Sequence, residues 1–206
     1  SLTTTMTLSG GSATATGTTA GGTNNLSLSA SSCTGFASPG PDAFYEVALS
    51  AGKTYQITLT PASTFDSMLY VSTDCTKMES TCVAGDDNTT PGGVEKVVVK
   101  PTTAGTYYIG VDSYTSSESG SFTLEVKEVV SPVNDTCAKA QALSFTSGKA
   151  TAKGDNTLAT ATVNLPSSGC TGYDTEGGDL FYSFTAKASQ WYKVTVTPGS
   201  GFNVAA

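Results

Sequence analysis

The sequence predicts an all-β protein made of tandem β-sandwich domains, the second of which is incomplete in this chain. Three features indicate this class: short segments in which apolar and polar residues alternate, turns between them that contain Gly, Pro or Asp, and an internal repeat as long as a whole domain. Alternation with a period of two places one face of a strand in a core and leaves the other face in solvent. Many short strands of this kind, with almost no helical periodicity, favour a sandwich.

The first repeat contains six clear strand patterns, separated by turn residues. The predicted strands are Tyr45–Leu49, Tyr55–Leu59, Met68–Val71, Val97–Val99, Tyr107–Val111 and Phe122–Val126. The turns include Ser50–Lys53 and Pro91–Gly93. The segment Asp135–Ala142 has an N-cap-like start followed by good helix formers, and it predicts a turn or two of helix.

The repeat has a constant offset of 137 residues and needs no gap. The equivalent segments are Cys33–Gly35 and Cys170–Gly172, Asp42–Tyr45 and Asp179–Tyr182, and Tyr55–Pro61 and Tyr192–Pro198. A period of this size is that of a domain rather than of a solenoid unit. The predicted organisation is a first domain at 1–127, a linker at 128–133 and the N-terminal half of a second copy at 134–206. Residues 12–66 and 149–203 are expected to superpose strand for strand.

Composition excludes several classes of function. The chain has ten Lys, no Arg, no His and seventeen acidic residues, for a net charge of -7. An acidic chain without a basic cluster is a poor nucleic-acid binder and a poor ligand for anionic membranes, and its apolar runs are too short to insert into a bilayer. Without His, neither a Ser-His-Asp nor a Cys-His site can be built, and the sequence favours a non-catalytic protein.

Five cysteines indicate an oxidising compartment and predict disulfides. Cys75 and Cys82 bracket a short loop and are expected to bond to each other, as are Cys137 and Cys170 of the second repeat. One period before Cys137 is the position immediately before Ser1, where the partner of Cys33 is therefore expected. CxxC pairs and His are absent, which argues against zinc.

The acidic residues leave two interpretations open. Asp86, Asp87 and Asn88, with Asp112, supply oxygen ligands of the kind that calcium prefers, although a polar, solvated turn is the alternative. Asp42 and Asp179 recur in both repeats, each before a strand, and a turn-capping role is expected for them rather than a catalytic one.

Five motifs in order resemble the bacterial pre-peptidase C-terminal domains. The motifs are Pro41–Tyr55, Phe65–Tyr70, Gly85–Asn88, Ala104–Val111 and Gly120–Leu124, and part of the pattern returns at 178–206. The resemblance implies a jelly-roll-like β-sandwich attached to secreted bacterial proteases and surface proteins. It also implies binding, secretion or solubility roles, some calcium-dependent, and no catalysis. The disulfides and the Thr/Ser-rich N-terminal segment depart from the simple family pattern.

The leading functional hypothesis is an extracellular structural or adhesive repeat module of a larger surface or fibre-forming protein. The alternative is an accessory domain of a secreted hydrolase that binds protein or polysaccharide; a free-standing enzyme is the weakest hypothesis. The half-domain is expected to be completed by further repeats or by copies of the same chain. Calcium is the one cofactor that the sequence suggests.

Overall fold

The chain divides into two compact units, Ser1–Val129 and Val130–Ala206. The computed structural model describes residues 3–87, 90–175, 177–199 and 204. The division between the units lies inside the segment 128–133, where the sequence predicts a linker. The last strand of the first unit, however, continues to Val129, so the first two residues of that segment belong to a β-strand.

The first unit is an all-β sandwich, as the sequence predicts. Its described strands are β1 (Thr3–Met6), β2 (Ser12–Thr18), β3 (Ala43–Leu49), β4 (Thr54–Pro61), β5 (Ser67–Ser72), β6 (Cys82–Asp86), β7 (Glu95–Val99), β8 (Gly105–Ser113) and β9 (Ser121–Val129). All six strands predicted from alternation are present. The sequence did not predict β1, β2 or β6.

Two sheets face each other. One has the order β1-β3-β8-β5-β6 and the other β2-β9-β4-β7. Only β1 and β3 pair in parallel among the described strands of this unit; every other pair is antiparallel. A bulge between Val71 and Ser72 shifts the register of β5 against β6.

The core lies between the sheets and is formed by every second side chain of each strand. On β4, Tyr55, Ile57 and Leu59 are buried as alternation predicts. Partners from the other strands complete this layer, and the buried apolar residues include Tyr45, Val47, Leu69, Val71, Val97, Ile109, Val111, Leu124 and Val126. Burial of apolar area of this extent is the main stabilising contribution to a fold of this size.

The outer face of the five-stranded sheet is covered as well. Segments 24–42 and 73–81 lie over it, and a second apolar cluster of Leu28, Tyr70 and Met78 forms beneath them. The Tyr70 ring lies across Gly110 on the neighbouring strand, where an added Cβ would come within 2.2 Å of the ring atoms. The covering segments therefore form a third layer over the outward side chains of β5 and β8.

The second unit has little regular structure among its described residues. A single 3₁₀ turn covers Cys137–Lys139, and two parallel strands of two residues each follow, β10 (Gln141–Ala142) and β11 (Tyr182–Ser183). The predicted helix at 135–142 is thus confined to one turn. Its last two residues form a strand instead.

The register of β10 with β11 repeats that of β1 with β3. Gln141 pairs with Tyr182 as Thr4 pairs with Tyr45, one period of 137 earlier. The equivalents of β2 and β4, residues 149–155 and 191–198, form no strand in the described part of the chain. In the first unit β2 and β4 bond to β9 rather than to each other, and β4 bonds also to β7. The expectation of strand-for-strand superposition is therefore wrong, because these segments have no ladder partners.

Candidate functional site

The most buried carboxyl group of the described residues with a resolved pKa shift is that of Asp112 on β8. It accepts a hydrogen bond from the Ser113 N–H at 2.7 Å and one from the Tyr70 hydroxyl at 3.3 Å. Burial raises the pKa of Asp112 to about 7, and the nearby Asp42 carboxylate adds to the rise, while hydrogen bonds from Ser113, Ser38 and Tyr70 oppose it. The side chain is fully buried, and it joins β8 to Tyr70 of β5 beneath the outer layer.

Asp42 holds the covering segment onto the sheet. Its carboxylate accepts hydrogen bonds from the backbone N–H groups of Asn25 and Leu26, at 2.7 and 2.8 Å, and from the Asn25 side-chain amide at 2.9 Å. Backbone N–H groups that lie under a loop must be paired, because an unpaired one loses its hydration without compensation. Asp42 therefore has a structural role, but it holds a segment 16 and 17 positions earlier in the chain rather than capping its own turn as predicted.

Asp86 and Asp112, two of the residues predicted to bind calcium, lie on opposite faces of the five-stranded sheet. Asp86 pairs with the core residue Leu69 and its carboxylate accepts a hydrogen bond from Lys96 N–H in the facing sheet, at 2.7 Å. Asp112 bonds Tyr70 on the opposite face of its sheet. Across the described residues, no three His, Cys, Asp or Glu side chains are grouped so that they could hold a metal. Asn88 lies outside those residues, and calcium binding by Asp86, Asp87, Asn88 and Asp112 stays a prediction.

The structure corrects the predicted disulfides. Cys82 bonds to Cys33, with the Cα atoms 6.2 Å apart, and not to Cys75, and the partner of Cys33 is therefore not a residue before Ser1. The reason is that β6 presents Cys82 to the outer layer, where the segment carrying Cys33 crosses Gly85 closely. Cys75 lies instead beside Tyr108, with which it makes a side-chain hydrogen bond. The predicted bond between Cys137 and Cys170 is not formed; both are free, exposed thiols.

An open depression of about 460 Å³ lies at one end of the first unit. The rings of Phe36 and Tyr114 form one side of it, edge to face, with centroids 5.9 Å apart. The rest of the wall consists of small, uncharged residues: Ala30, Ala37, Pro39, Thr115 and Ser116. No strand or turn pattern predicted this feature, although an aromatic residue occurs at the same place in both repeats, Phe36 and Tyr173, two residues after each Cys-Thr pair.

The second unit repeats the loop contacts of the first. Asp179 accepts hydrogen bonds from the backbone N–H groups of Thr162 and Val163, the equivalents of those that Asp42 holds. Leu28 and Ser38 are joined by two hydrogen bonds, from the Leu28 N–H to the Ser38 hydroxyl and from the Ser38 N–H to the Leu28 carbonyl. Their equivalents Leu165 and Thr175 are joined by the same two hydrogen bonds. Asp179 thus has the same loop-holding role as Asp42, and the offset of 137 describes three-dimensional structure as well as sequence.

Further contacts follow the same offset. The Tyr55 hydroxyl accepts a hydrogen bond from the Ser50 N–H at 3.1 Å, and the Tyr192 hydroxyl accepts one from the Lys187 N–H at 2.9 Å. The equivalent turns Gly35 N–H to Ser32 carbonyl and Gly172 N–H to Gly169 carbonyl are both formed. The local geometry of the second unit is therefore that of the first, although its ladders are missing.

Two family models match the chain. Residues 42–113 match the bacterial pre-peptidase C-terminal domain, and residues 133–203 match a T9SS-associated family described as galactose binding domain-like. When the period of 137 is subtracted from each residue number, the second range becomes -4 to 66 in the numbering of the first unit. The two matches thus cover different but overlapping parts of one repeat, which explains how two units with the same loop geometry match different families.

Two solved structures are similar to the chain. One is the periplasmic lysozyme inhibitor PliG of Aeromonas hydrophila, an inhibitor of g-type lysozyme, with 16% identity, 61% of this chain and 96% of that chain covered, and a TM-score of 0.41. The other is the pre-peptidase C-terminal domain of collagenase from Bacillus anthracis, with 13% identity, the same coverage of 61% and 96%, and a TM-score of 0.39. No curated protein matches the sequence.

Both family matches indicate a secreted bacterial protein. In the described part of the chain no helix is both long enough and apolar enough to span a membrane. The motifs at 41–55, 65–70, 85–88 and 104–111 lie within or beside the matched range. The resemblance to the bacterial pre-peptidase C-terminal domains is therefore confirmed for residues 42–113 of the first unit.

Proposed function

We propose that this chain is a non-catalytic module from a tandem array in a secreted bacterial protein, with a structural and adhesive role at the cell surface or in a fibre. The observation that carries the proposal is the second unit, which repeats the loop contacts of the first at a constant offset of 137 residues. Repetition of a whole domain in one polypeptide is how extended surface proteins gain length and multiple contact points.

The chemistry of the chain supports a role outside the cell. The Cys33–Cys82 bond joins residues 49 positions apart and fits an oxidising compartment. The net charge of -7 disfavours nucleic acids and anionic membranes as partners. The families matched by both units are found in secreted bacterial proteins, which supports the same location.

A non-catalytic role is supported by the residues that could have done chemistry. The sequence has no His, so general base catalysis would fall to carboxylates. Asp42 and Asp179 are engaged with backbone N–H groups, and Asp112 is sealed under the covering segment. Each of these three carboxylates thus has a structural function.

The proposal is tested with beads coated with the chain. Their clustering, and their attachment to gelatin, cellulose and chitin, are compared with those of albumin-coated beads. We expect clustering or attachment above the albumin level and no release of soluble fragments from any of the three surfaces. Beads that behave like the albumin control would contradict an adhesive role, and hydrolysis of a surface would contradict a non-catalytic one.

A second candidate function, an accessory domain that binds a hydrolase's polymeric substrate, is favoured by the depression beside Phe36 and Tyr114. The two side chains are 37% and 41% exposed, and the wall carries no charge. Exposed aromatic rings with hydroxyl groups beside them suit the apolar face of a sugar or a proline-rich peptide. Tyr173, the equivalent of Phe36, is also exposed, so an array would present this surface repeatedly.

The two candidates are separated by the double variant Phe36→Ala, Tyr114→Ala, with Val83→Ala and Val94→Ala as a matched control. The control residues are exposed apolar side chains outside the depression. Loss of attachment to one polymer in the first variant alone would favour the binding module. Attachment that both double variants retain would favour an adhesive role that does not use the depression.

A further inference from the structure

Side chains that form the core of the first unit are exposed in the second. Tyr182 is 37% exposed where Tyr45 is 5% exposed, and Val194 is 69% exposed where Ile57 is fully buried. Phe184 and Val196 are likewise exposed, and their equivalents Val47 and Leu59 are buried. The equivalents of these residues lie on β3 and β4, which belong to the two opposite sheets of the first unit, so the second unit exposes core positions of both sheets. We call Tyr182, Phe184, Tyr192, Val194 and Val196 the open face.

Aromatic contacts hold part of this open face in shape. The rings of Phe184 and Tyr192 lie 5.2 Å apart, and Phe145 contacts both, at 5.9 and 5.6 Å. Tyr192 also accepts the hydrogen bond from Lys187 N–H that fixes the preceding turn, as Tyr55 does in the first unit. The face is thus preformed for packing against another layer, and apolar area of this kind is costly to leave in water.

The first unit shows which strands pair with the equivalent strands and complete the core around them. β9 lies between β2 and β4 and bonds to both in antiparallel orientation, while β7 bonds to the other edge of β4 and β8 to β3. All of these partners come from the segment 67–129. The equivalents of β2 and β4 in the second unit, 149–155 and 191–198, therefore lack their neighbours both in the hydrogen-bonding direction and across the core.

A cysteine gives an independent indication of the same partner. Cys170 is the equivalent of Cys33, and its loop keeps the same turn and the same Thr hydroxyl contact: Thr171 to the Tyr173 carbonyl, as Thr34 to the Phe36 carbonyl. In the first unit Cys33 is bonded to Cys82, which lies on β6 within the segment 67–129. In the second unit Cys170 is free and exposed.

We propose that the open face is covered by a segment of the same polypeptide that repeats the strands of residues 67–129, and that Cys170 forms a disulfide with a cysteine of that segment at the place of Cys82. The proposal rests on the tandem-array part of the proposed function. The bond forms by thiol–disulfide exchange: the two thiols lose two protons and two electrons, and an oxidised disulfide such as glutathione disulfide is reduced to two thiols.

The test is a chimera in which residues 1–203 are followed by a second copy of residues 67–129, which keeps the offset of 137 at the junction. The chain of 206 residues is the reference, and both are refolded with a glutathione redox pair. We expect non-reducing peptide mapping to recover Cys170 joined to the appended copy of Cys82. We also expect amide exchange of residues 191–198 to slow by roughly 100-fold or more, as in a stable ladder.

The matched control is the same chimera with the appended Cys82→Ser, which should keep most of the amide protection and lose the bond. Two results would overturn the proposal. One is a Cys137–Cys170 bond in the reference chain; the other is a chimera in which a maleimide labels Cys170, and residues 191–198 exchange, as fast as in the reference. Bead attachment does not depend on either readout, so an adhesive role can fail while this proposal holds, and the reverse.

Discussion

Replacing both Cys33 and Cys82 by Ala should lower the free energy of unfolding of the first unit by about 4 kcal/mol. The bond closes a loop of 49 residue positions, and cross-linking a loop of that length removes chain entropy from the unfolded state by about this amount. For the 129 residues of the unit, an unfolding entropy of about 2.1 cal/mol/K per residue converts the loss to a fall in Tm of about 15 °C.

The matched control is Cys75→Ala, which removes a free, exposed thiol close in sequence to Cys82. It should leave Tm nearly unchanged. The assay is thermal unfolding followed by far-UV circular dichroism, with and without a reductant; reduction should bring the wild-type chain to the Tm of the double variant. Trp191 is the lone tryptophan and lies in the second unit, so its fluorescence should not follow this transition.

The reasoning would be refuted if Cys75→Ala lowered Tm while Cys33→Ala did not. That pattern would mean that Cys75 and Cys82 are joined, as the sequence spacing first suggests. The bond would then close a loop of only eight residues, and its removal would cost about 2.5 kcal/mol.

Three further predictions concern the outer layer of the first unit. The pKa of Asp112 is 3.8 in a free side chain and about 7 in the fold, so between those pH values only the folded state holds the proton, and the free energy of unfolding should fall as pH rises from about 4 to about 7. Asp112→Asn should abolish this fall and should have a higher Tm than the wild type at pH ~8. Parallel pH profiles of the two proteins would contradict the prediction. Gly110→Ala should cost about 1–3 kcal/mol or more in urea unfolding, because the new Cβ meets the Tyr70 ring, whereas Gly105→Ala on the same strand meets nothing within 4 Å and should cost far less; equal effects would refute the close approach. Asp42→Ala should cost about 2–4 kcal/mol, since it leaves two backbone N–H groups of the covering segment unpaired, and a loss below about 0.5 kcal/mol would show that the carboxylate does not hold that segment.

The strands of the core could be predicted because alternation and burial coincide there. On β4 every second residue is apolar and every one of these is buried, so the period of two is visible in the sequence. β1 and β2 were missed because, apart from Met6, they are made of Thr, Ala, Ser and Gly rather than of large apolar residues. A small residue is needed at Gly17, where the Tyr45 hydroxyl and the Phe122 ring approach closely. Thr favours strands, but without large apolar residues on one face these segments lack the alternation that marks a strand.

The outer layer could not be predicted. Alternation places Asp112 on the outward face with Tyr108 and Gly110, and outward residues of an antiparallel sheet are ordinarily solvated. The segment that covers them is rich in Ser and Thr and has only Leu26 and Leu28 as large aliphatic residues, so no periodicity shows that it packs on a sheet. The disulfide was missed for the same reason, since pairing by closeness in sequence ignores a loop that returns over the sheet from 49 positions away.

The repeat was predictable in its loops and not in its ladders. Asp42 and Asp179 lie before equivalent strands, and each holds two backbone N–H groups that lie 16 and 17 positions earlier in the chain. The strand equivalent to β4 depends instead on β7 and β9, which follow it in the chain by tens of residues. Similar local sequence therefore gives similar loops in both units, while the sheets require partners from far along the chain.

Amide hydrogen exchange of the 206-residue chain, with residues 54–61 and 191–198 read from the same sample by mass spectrometry, tests the central claim most directly. The two segments have similar sequences, and the tyrosine of each accepts the same hydrogen bond. If the second unit keeps the loops of the first but lacks its ladders, residues 54–61 should exchange more slowly than an unfolded chain by roughly 1,000-fold or more, and residues 191–198 should exchange at nearly the unfolded rate. Equal protection of the two segments in a monomeric chain would contradict the account, because it would show that the second unit forms its sheet without the missing strands.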